Sequence, residues 1–142
     1  MIVVGIDGGE DSAEILRFAL HEATIRGTRL RVIRAWSSAR AVKIAGPAVV
    51  PVVDARAARE DAAAELGRLV EAVAGQRAAQ VESVVPEGPA GVAILDHARD
   101  AELIVVGTHA RGPLAEIVLG SVSHHVVRHA RCPVVVVPPR RV

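Results

Sequence analysis

The sequence predicts an α/β domain in which helices cover both faces of a parallel β-sheet. Five short apolar runs alternate with four longer segments of helical spacing, and this alternation is typical of right-handed β–α–β units. Hydrophobic residues make up 51% of the 142 residues, whereas aromatic residues make up only 1%. The core must therefore be aliphatic, which suits a sheet that is buried on both faces. We expect one domain that spans residues 1–142.

The predicted elements follow from the apolar runs and from the turn residues between them. The strands are predicted at residues 2–6, 29–36, 79–85, 102–106 and 134–137. The helices are predicted at residues 11–26, 55–74, 90–100 and 121–130. Gly27 and Gly75 follow the first two helices at positions that suit a helix C-terminus. Residues 37–54 carry Ser, Gly and Pro without a clear period, so we interpret them as a long loop.

Composition and charge exclude several classes of partner. The net charge is +1, from 17 basic and 16 acidic residues, whereas nucleic-acid binding needs a concentrated basic surface. No apolar stretch is long enough to span a membrane and no secretory leader precedes the first strand, so we expect a soluble cytoplasmic protein.

Cys132 is the only cysteine, which excludes an internal disulfide. We interpret it as a packed thiol, because no acid–base partner lies near it in the sequence.

Two loops have the composition of a ligand site at the carboxyl ends of the strands, where open parallel sheets bind their ligands. The first is Asp7-Gly8-Gly9, whose carboxylate can accept hydrogen bonds from ribose hydroxyls. The second is residues 107–112 together with Gly120-Ser121, which opens the last helix. Backbone N–H groups there can hold phosphates, and the hydroxyl of Ser123 can add a donor. Taken alone, each residue is better explained as a turn glycine or a helix N-cap.

The order and spacing of these residues resemble a known family. Gly107-Thr108-His109-Ala110, nine further residues and Gly120-Ser121 are similar to the universal stress protein nucleotide signature, which is glycine-x-x-glycine, nine residues, glycine-Ser/Thr. The surrounding segments at residues 3–8, 119–123 and 129–137 agree with the same family. The resemblance extends from residue 1 to residue 138.

The resemblance implies a doubly wound sheet of order 3-2-1-4-5, which brings Asp7 and Gly107 to one crevice. It also implies a stress-response protein that binds ATP, with Mg²⁺ on the phosphates and without an intrinsic metal site. By position, the implied nucleotide-binding residues are Gly5, Ile6 and Asp7 at the nucleoside, Ala35 and Val106 at the adenine, and Gly107, His109, Ala110, Gly120, Ser121, Val122 and Ser123 at the ribose and phosphates.

Ala110 departs from the family signature, which has its second glycine at that position. If the residue needs a positive φ, alanine costs about 1–2 kcal/mol, and its Cβ can also obstruct a phosphate. If the local backbone is right-handed, alanine costs little. Two functions therefore stay open, an ATP-binding module and an interaction module of the same fold that binds no nucleotide.

Enzymatic functions fit the sequence less well. A phospho-acceptor domain needs an acidic cluster after strand one and a lysine after strand five, but Asp7 stands alone and the only lysine, Lys43, lies in the predicted loop. A P-loop ATPase needs a glycine-lysine pair that is absent. Beyond Asp7 and His109, no residue near the crevice suggests a general base. We therefore expect a binding protein with at most slow ATP hydrolysis.

Histidines and the single tryptophan leave further alternatives open. His124, His125 and His129 share the last helix, but they lack cysteine or carboxylate partners at zinc spacing, so we expect solvated or paired side chains rather than a metal site. His109 either donates to a phosphate or faces water. Trp36 either lines the crevice or covers the core.

The fifth predicted strand favours a homodimer. In the implied order it is an edge strand, and Val134-Val135-Val136-Val137 carries neither charge nor internal proline. Such an apolar edge invites pairing unless it is covered, and a second copy about a two-fold axis would cover it. The resemblance implies the same dimer. Folding of residues 139–142 over the edge is the alternative, although four residues are short for it.

Overall fold

The computed structural model describes residues 1–37, 54–108 and 119–139. Its strands are β1 (Ile2–Gly5), β2 (Leu30–Ile33), β3 (Val81–Val84), β4 (Leu103–Gly107) and β5 (Val134–Val137). Its α-helices are α1 (Ser12–Arg26), α2 (Ala55–Ala74), α3 (Ala90–Asp96) and α4 (Ser121–His129), and a 3₁₀ helix covers Gly75–Gln80. No helix in these ranges is both long and apolar enough to cross a membrane.

The five strands form one sheet of order β3-β2-β1-β4-β5, and every neighbouring pair is parallel. The central strand β1 pairs with β2 on one side and with β4 on the other, so that Val4 lies opposite both Val32 and Val105. The predicted doubly wound fold and its strand order are thereby confirmed. The order changes direction between β1 and β4, which is the place where such sheets form a crevice.

Alternate side chains of the strands enter two separate aliphatic clusters, one on each face of the sheet. Val4 and Val32 pack with α1 and α2 residues such as Leu66 in what we call the α1/α2 cluster. Val3 and Ile104 pack with α4 residue Val126 in the α3/α4 cluster. All four β1 residues are buried, as expected of a strand covered on both faces.

Several boundaries differ from the predicted ones. β2 ends at Ile33 rather than at residue 36, although the Trp36 N–H still bonds the Pro86 carbonyl at 3.0 Å. β3 starts at Val81 rather than at residue 79, because the preceding residues complete the 3₁₀ helix. α3 ends at Asp96 instead of residue 100. The predicted caps hold, since Gly27 (φ 60°) follows α1 and Gly75 (φ 54°) follows α2.

The connections give the two ends of the sheet opposite electrostatic characters. We call the end formed by Gly5, Ile33, Val84, Gly107 and Val137 the carboxyl end, and the opposite one the amino end. Because each helix returns the chain from the carboxyl end to the amino end, all four α-helices start at the carboxyl end. Helix N-termini carry partial positive charge and unpaired N–H groups. The carboxyl end therefore favours an anionic ligand.

Candidate functional site

The turn after β1 holds a carboxylate at the carboxyl end of the sheet. Asp7 Oδ1 accepts hydrogen bonds from the Gly9 N–H at 2.8 Å and from the Ser12 hydroxyl at 3.2 Å. Ser12 Oγ in turn accepts from the Gly8 N–H at 3.0 Å. Gly8 has φ +80°, a conformation that L residues with a side chain avoid. The exposed Asp7 side chain is thus oriented before any ligand binds.

An arginine that follows β2 reaches this turn. The Arg34 guanidinium donates through Nη1 to the Asp7 carbonyl and through Nη2 to the Glu65 carboxylate on α2. The Arg34 side chain is 17% exposed, and its Nε is buried without a hydrogen-bond partner among the described residues. Arg34 therefore joins the β1 turn to α2.

The glycines at the ends of the two central strands lie against side chains of the covering helices. A Cβ at Gly5 would collide with Ile94 of α3, and a Cβ at Gly107 would collide with Ile15 of α1. Gly107 is the last residue of β4, opposite Val137, and not a turn residue. Both glycines have a structural explanation that does not need a nucleotide.

Thr108 continues β4 into the signature loop. Its N–H donates to the Val137 carbonyl at 3.1 Å, and the residue is buried at 6% exposure. Its Oγ1 is buried without a hydrogen-bond partner among the described residues. A buried hydroxyl without a partner costs about 1–3 kcal/mol, so this atom is a candidate for contact with a bound molecule.

The N-terminus of α4 lies at the same end of the sheet. Gly120 is the N-cap residue and, having no side chain, it makes no capping bond to this helix end. Ser123 is buried and donates its hydroxyl to the Gly120 carbonyl at 3.0 Å, so it is already bonded within the chain. Ser121 is exposed. The first-turn N–H groups and the Ser121 hydroxyl are the donors that this helix offers to an anion.

Ala35 and Trp36 follow β2 at the carboxyl end, and both are half-buried. The Trp36 carbonyl accepts from the Gly88 N–H at 2.8 Å, which ties this segment to the turn before α3. Trp36 Nε1 is buried without a partner among the described residues.

The structure brings most of the predicted site residues to one end of the sheet. Gly5, Ile6 and Asp7 lie beside Val106 and Gly107 because β1 pairs with β4. Ile6 belongs to the α1/α2 cluster and Val106 to the α3/α4 cluster, so both lie beneath the surface of the crevice. Val122 packs against the α3/α4 cluster as well.

Two of the predicted residues, His109 and Ala110, lie outside the described ranges. The sequence reasoning missed Ser12, Arg34 and Thr108. Only Thr108 carried a signal, since it stands inside the signature segment.

A cavity of about 320 Å³ opens at the amino end, away from the predicted crevice. Its lining residues are Leu95, Asp96, Ala98, Arg99, Ile104, His129 and Arg131. Helices α3 and α4 end there with their partial negative charges, which cations stabilise. His97 Nδ1 lies 2.8 Å from the Ala93 carbonyl, and His129 Nδ1 lies 2.8 Å from the His125 carbonyl. The ring nitrogens of His97 and His129 thus bond carbonyls at the ends of α3 and α4. The carboxyl end, where the α-helices start, is therefore the better candidate for an anion site.

The histidines of α4 and the cysteine show no reactive arrangement. The His125 and His129 rings lie 4.5 Å apart between centroids, and the described residues contain no group of three or more side chains suited to a metal ion. Cys132 is half-buried, and burial raises the pKa of its thiol. A raised pKa lowers the thiolate fraction at neutral pH.

One family model and several known proteins are similar to this chain. The universal stress protein family model matches residues 1–138. The chain is 37% identical over 140 residues to universal stress protein Rv2005c of Mycobacterium tuberculosis, covering 95% of this chain and 44% of that protein. It thus spans less than half the length of that relative.

Two further similarities cover nearly whole chains. Universal stress protein YxiE of Bacillus subtilis is 31% identical over 143 residues, covering 96% of this chain and 97% of that protein. A solved structure of the universal stress protein from Archaeoglobus fulgidus, in complex with dAMP, is 26% identical at a TM-score of 0.57, covering 95% of this chain and 94% of that one. The chain described here belongs to the universal stress protein family.

Proposed function

We propose that this chain is a stress-response module that binds an adenine nucleotide, ATP with Mg²⁺ on its phosphates, at the carboxyl end of β1 and β4. It acts by binding, with at most slow hydrolysis. The proposal includes a single domain over residues 1–142 and a cytoplasmic location, which one cysteine and no disulfide favour.

The observation that carries the proposal is the pairing of an oriented carboxylate with unpaired donors at one end of the sheet. Asp7 is held by Gly9 and Ser12, where it can accept from a ribose hydroxyl. The uncapped N-terminus of α4 can hold phosphate. Thr108 Oγ1 adds a buried hydroxyl without a described partner. The dAMP complex of the Archaeoglobus fulgidus relative supports the same ligand class.

Titration calorimetry with MgATP, ADP, AMP and cyclic AMP tests the proposal. We expect saturable binding by at least one adenine nucleotide and a matching rise in Tm. Guanine nucleotides at equal charge serve as the control for unspecific phosphate binding. Neither heat nor a Tm shift at millimolar nucleotide would contradict nucleotide binding and would favour the module with an empty crevice.

Asp7→Asn tests the ribose contact. The amide keeps the size of the side chain and one acceptor oxygen but removes the charge. Hydrogen bonds to charged groups contribute about 1.5–3 kcal/mol, so adenosine and ATP should both lose about tenfold or more in affinity. Asp11→Asn is the matched control, since the Asp11 side chain makes no capping bond. Equal affinities in both variants would exclude Asp7 as the ribose acceptor.

Ala110 favours the second candidate, an interaction module of this family that binds no nucleotide. Ala110→Gly discriminates the two, although residue 110 lies outside the described ranges. If alanine is strained or obstructive, relief of about 1 kcal/mol tightens ATP binding about fivefold. Binding that appears only in the glycine variant would assign the natural chain to the second candidate.

The proposed assembly is a homodimer through β5. This strand lies at the edge of the sheet, and its four valines are all half-buried. The Pro133 carbonyl accepts from the Ile104 N–H of β4, and the Val137 carbonyl accepts from the Thr108 N–H. Because alternate residues of a strand direct their backbone groups to opposite sides, Val134 and Val136 offer theirs to the open edge. Such an edge invites pairing with a second copy.

Val136→Pro tests this assembly, because it removes an N–H that faces away from β4, where proline is tolerated. Val136→Thr keeps the N–H and the branched shape, and it is the matched control. In sedimentation at micromolar concentration we expect a dimer for the natural chain and the threonine variant, and a monomer for the proline variant. A monomeric natural chain would contradict the proposal.

A further inference from the structure

We propose that Arg34 is a positioning residue that orients the Asp7 carboxylate for the ribose, acting through the peptide bond between Asp7 and Gly8. The inference rests on the proposed nucleotide function and names a residue that determines recognition of the sugar.

The backbone fixes where the Arg34 side chain starts. The Arg34 N–H donates to the Val84 carbonyl at 3.0 Å, and the Ile6 N–H donates to the Ile33 carbonyl at 3.0 Å. Arg34 is thus anchored to β3 and lies next to the end of β1. Val32 enters the α1/α2 cluster and Ile33 the α3/α4 cluster. Alternation therefore sends Arg34 toward α2 and the β1 turn.

The peptide group that joins Asp7 to Gly8 is held on both sides. Its carbonyl accepts from Arg34 Nη1, and its N–H donates to Ser12 Oγ at 3.0 Å. Ser12 then donates to Asp7 Oδ1 at 3.2 Å. Arg34, the peptide group and Ser12 form a hydrogen-bonded chain that ends on the carboxylate. A change in the peptide orientation would therefore rotate the group that we propose to bind the ribose.

The Arg34 guanidinium lies directly against Gly8. A Cβ at Gly8 would lie 2.6 to 2.9 Å from Nη1, Cζ and Nη2 of Arg34, so Arg34 would have to shift to accept a side chain there. Gly8 also has φ +80°. The guanidinium thus lies directly against the turn, and Glu65 holds its other nitrogen from α2.

Arg31, which lies on β2 three residues before Arg34, provides a matched control. Its side chain is also 17% exposed, but it points to the other face and bonds the His97 carbonyl at 2.7 Å and Asp100 at 3.1 Å. Loss of Arg31 removes a charge of equal burial without touching the β1 turn.

The test compares the natural chain with Arg34→Met, Arg34→Lys and Arg31→Met. The measured quantity is the preference for AMP, defined as its affinity divided by the affinity for 2′,3′-dideoxy-AMP, which lacks both ribose hydroxyls. We expect the natural chain and Arg31→Met to prefer AMP, and Arg34→Met to lose at least fivefold of that preference. Arg34→Lys should restore part of it, because an ammonium can still donate to the Asp7 carbonyl. Glu65→Gln should reduce the preference less, since it leaves Arg34 in place with a weaker anchor.

The outcomes separate this inference from the proposed function. If the natural chain binds no adenine nucleotide, the proposed function fails and the ribose role fails with it. If it binds AMP and Arg34→Met keeps the full preference, only the positioning role is overturned. Amide exchange of Gly8 is a readout without ligand. We expect at least tenfold faster exchange in Arg34→Met than in Arg31→Met, and equal rates would overturn the inference even if Arg34→Met binds weakly.

Discussion

At the amino end of the sheet, polar side chains bond the ends of helices, whereas at the carboxyl end three buried polar atoms have no partner among the described residues. Arg31 donates to the carbonyl of His97, the residue that caps the end of α3. The His97 ring bonds a carbonyl of α3, and the His129 ring bonds a carbonyl of α4. Arg31 Nε, which lacks a well-formed hydrogen bond, still pairs with Glu82 at 3.0 Å. The carboxyl end instead leaves Arg34 Nε, Trp36 Nε1 and Thr108 Oγ1 unpaired within the described ranges.

This difference separates polar groups that stabilise the fold from polar groups that, under the proposed function, contact a ligand. An unpaired buried polar atom lowers stability by about 1–3 kcal/mol, and native proteins keep few of them. Among the described residues, three such atoms lie at the end of the sheet from which the α-helices start, which agrees with the proposed binding site. Variants at the two ends should therefore respond differently, and four experiments test that contrast.

The largest effect is expected for Gly107→Ala, because its Cβ would collide with Ile15. Overpacking of this kind costs about 1–3 kcal/mol in free energy of unfolding. Ile15→Val removes the colliding methyl group, so the double variant should recover much of that loss in urea unfolding. Since Gly107 does not have a positive φ, an unrescued loss would mean that contacts other than the Ile15 methyl group exclude a side chain there.

Thr108→Val should raise the free energy of unfolding of the nucleotide-free chain by about 1 kcal/mol, because it removes a buried hydroxyl that has no partner among the described residues. The same change should weaken ATP binding if the hydroxyl contacts the ligand. Thr108→Ser, which keeps the hydroxyl, is the control. Urea unfolding and calorimetry measure the two effects, and a less stable valine variant would show that the hydroxyl is bonded in the free protein.

At the amino end, His129→Ala should lower the free energy of unfolding by about 0.5 kcal/mol, through loss of the bond to His125 and of a basic residue in the last turn of α4. His124→Ala, near the start of the same helix, is the control. Nucleotide affinity should be unchanged in both. A selective loss of affinity in His129→Ala would place a ligand at the amino end.

The smallest effect concerns Cys132, at the entry to β5. Burial raises the pKa of its thiol, so the thiolate fraction at pH 8 is below that of free cysteine. Alkylation by iodoacetamide should be slower in the folded chain than in urea, with its midpoint at higher pH. Saturating ATP should not change that rate. Protection by ATP would connect the amino end to the nucleotide site.

The fold class was predictable because it depends on patterns that are local in the chain. Apolar runs such as residues 103–106 and the helix-ending glycines at 27 and 75 specify elements through periodicity and backbone freedom. Boundaries were less predictable, since β2 and β3 end where pairing with neighbours ends. The strand order and the place of the crevice rested on the resemblance, and the sheet pairing confirms the order.

Much of the candidate site was also visible in the sequence, because its loops carry glycine, serine and one aspartate at characteristic spacing. Asp7 and Gly120-Ser121 were identified in this way, and the structure places them at the carboxyl end. Ser12 and Arg34 were not, because their roles depend on contacts with Asp7 across the turn and between strands. The packing role of Gly5 and Gly107 could not be predicted either, because it depends on contacts with Ile94 and Ile15 of the covering helices.

The sequence by itself thus determined the element types, the aliphatic core and the family, all of which follow from residue type and spacing along the chain. Only the tertiary structure decided which polar groups find partners. Arg31 lies on β2 and Arg34 directly follows that strand, yet one completes a helix end and the other holds the Asp7 turn. Alternation of strand side chains sends them to opposite faces, and what they meet there depends on helices far away in the sequence.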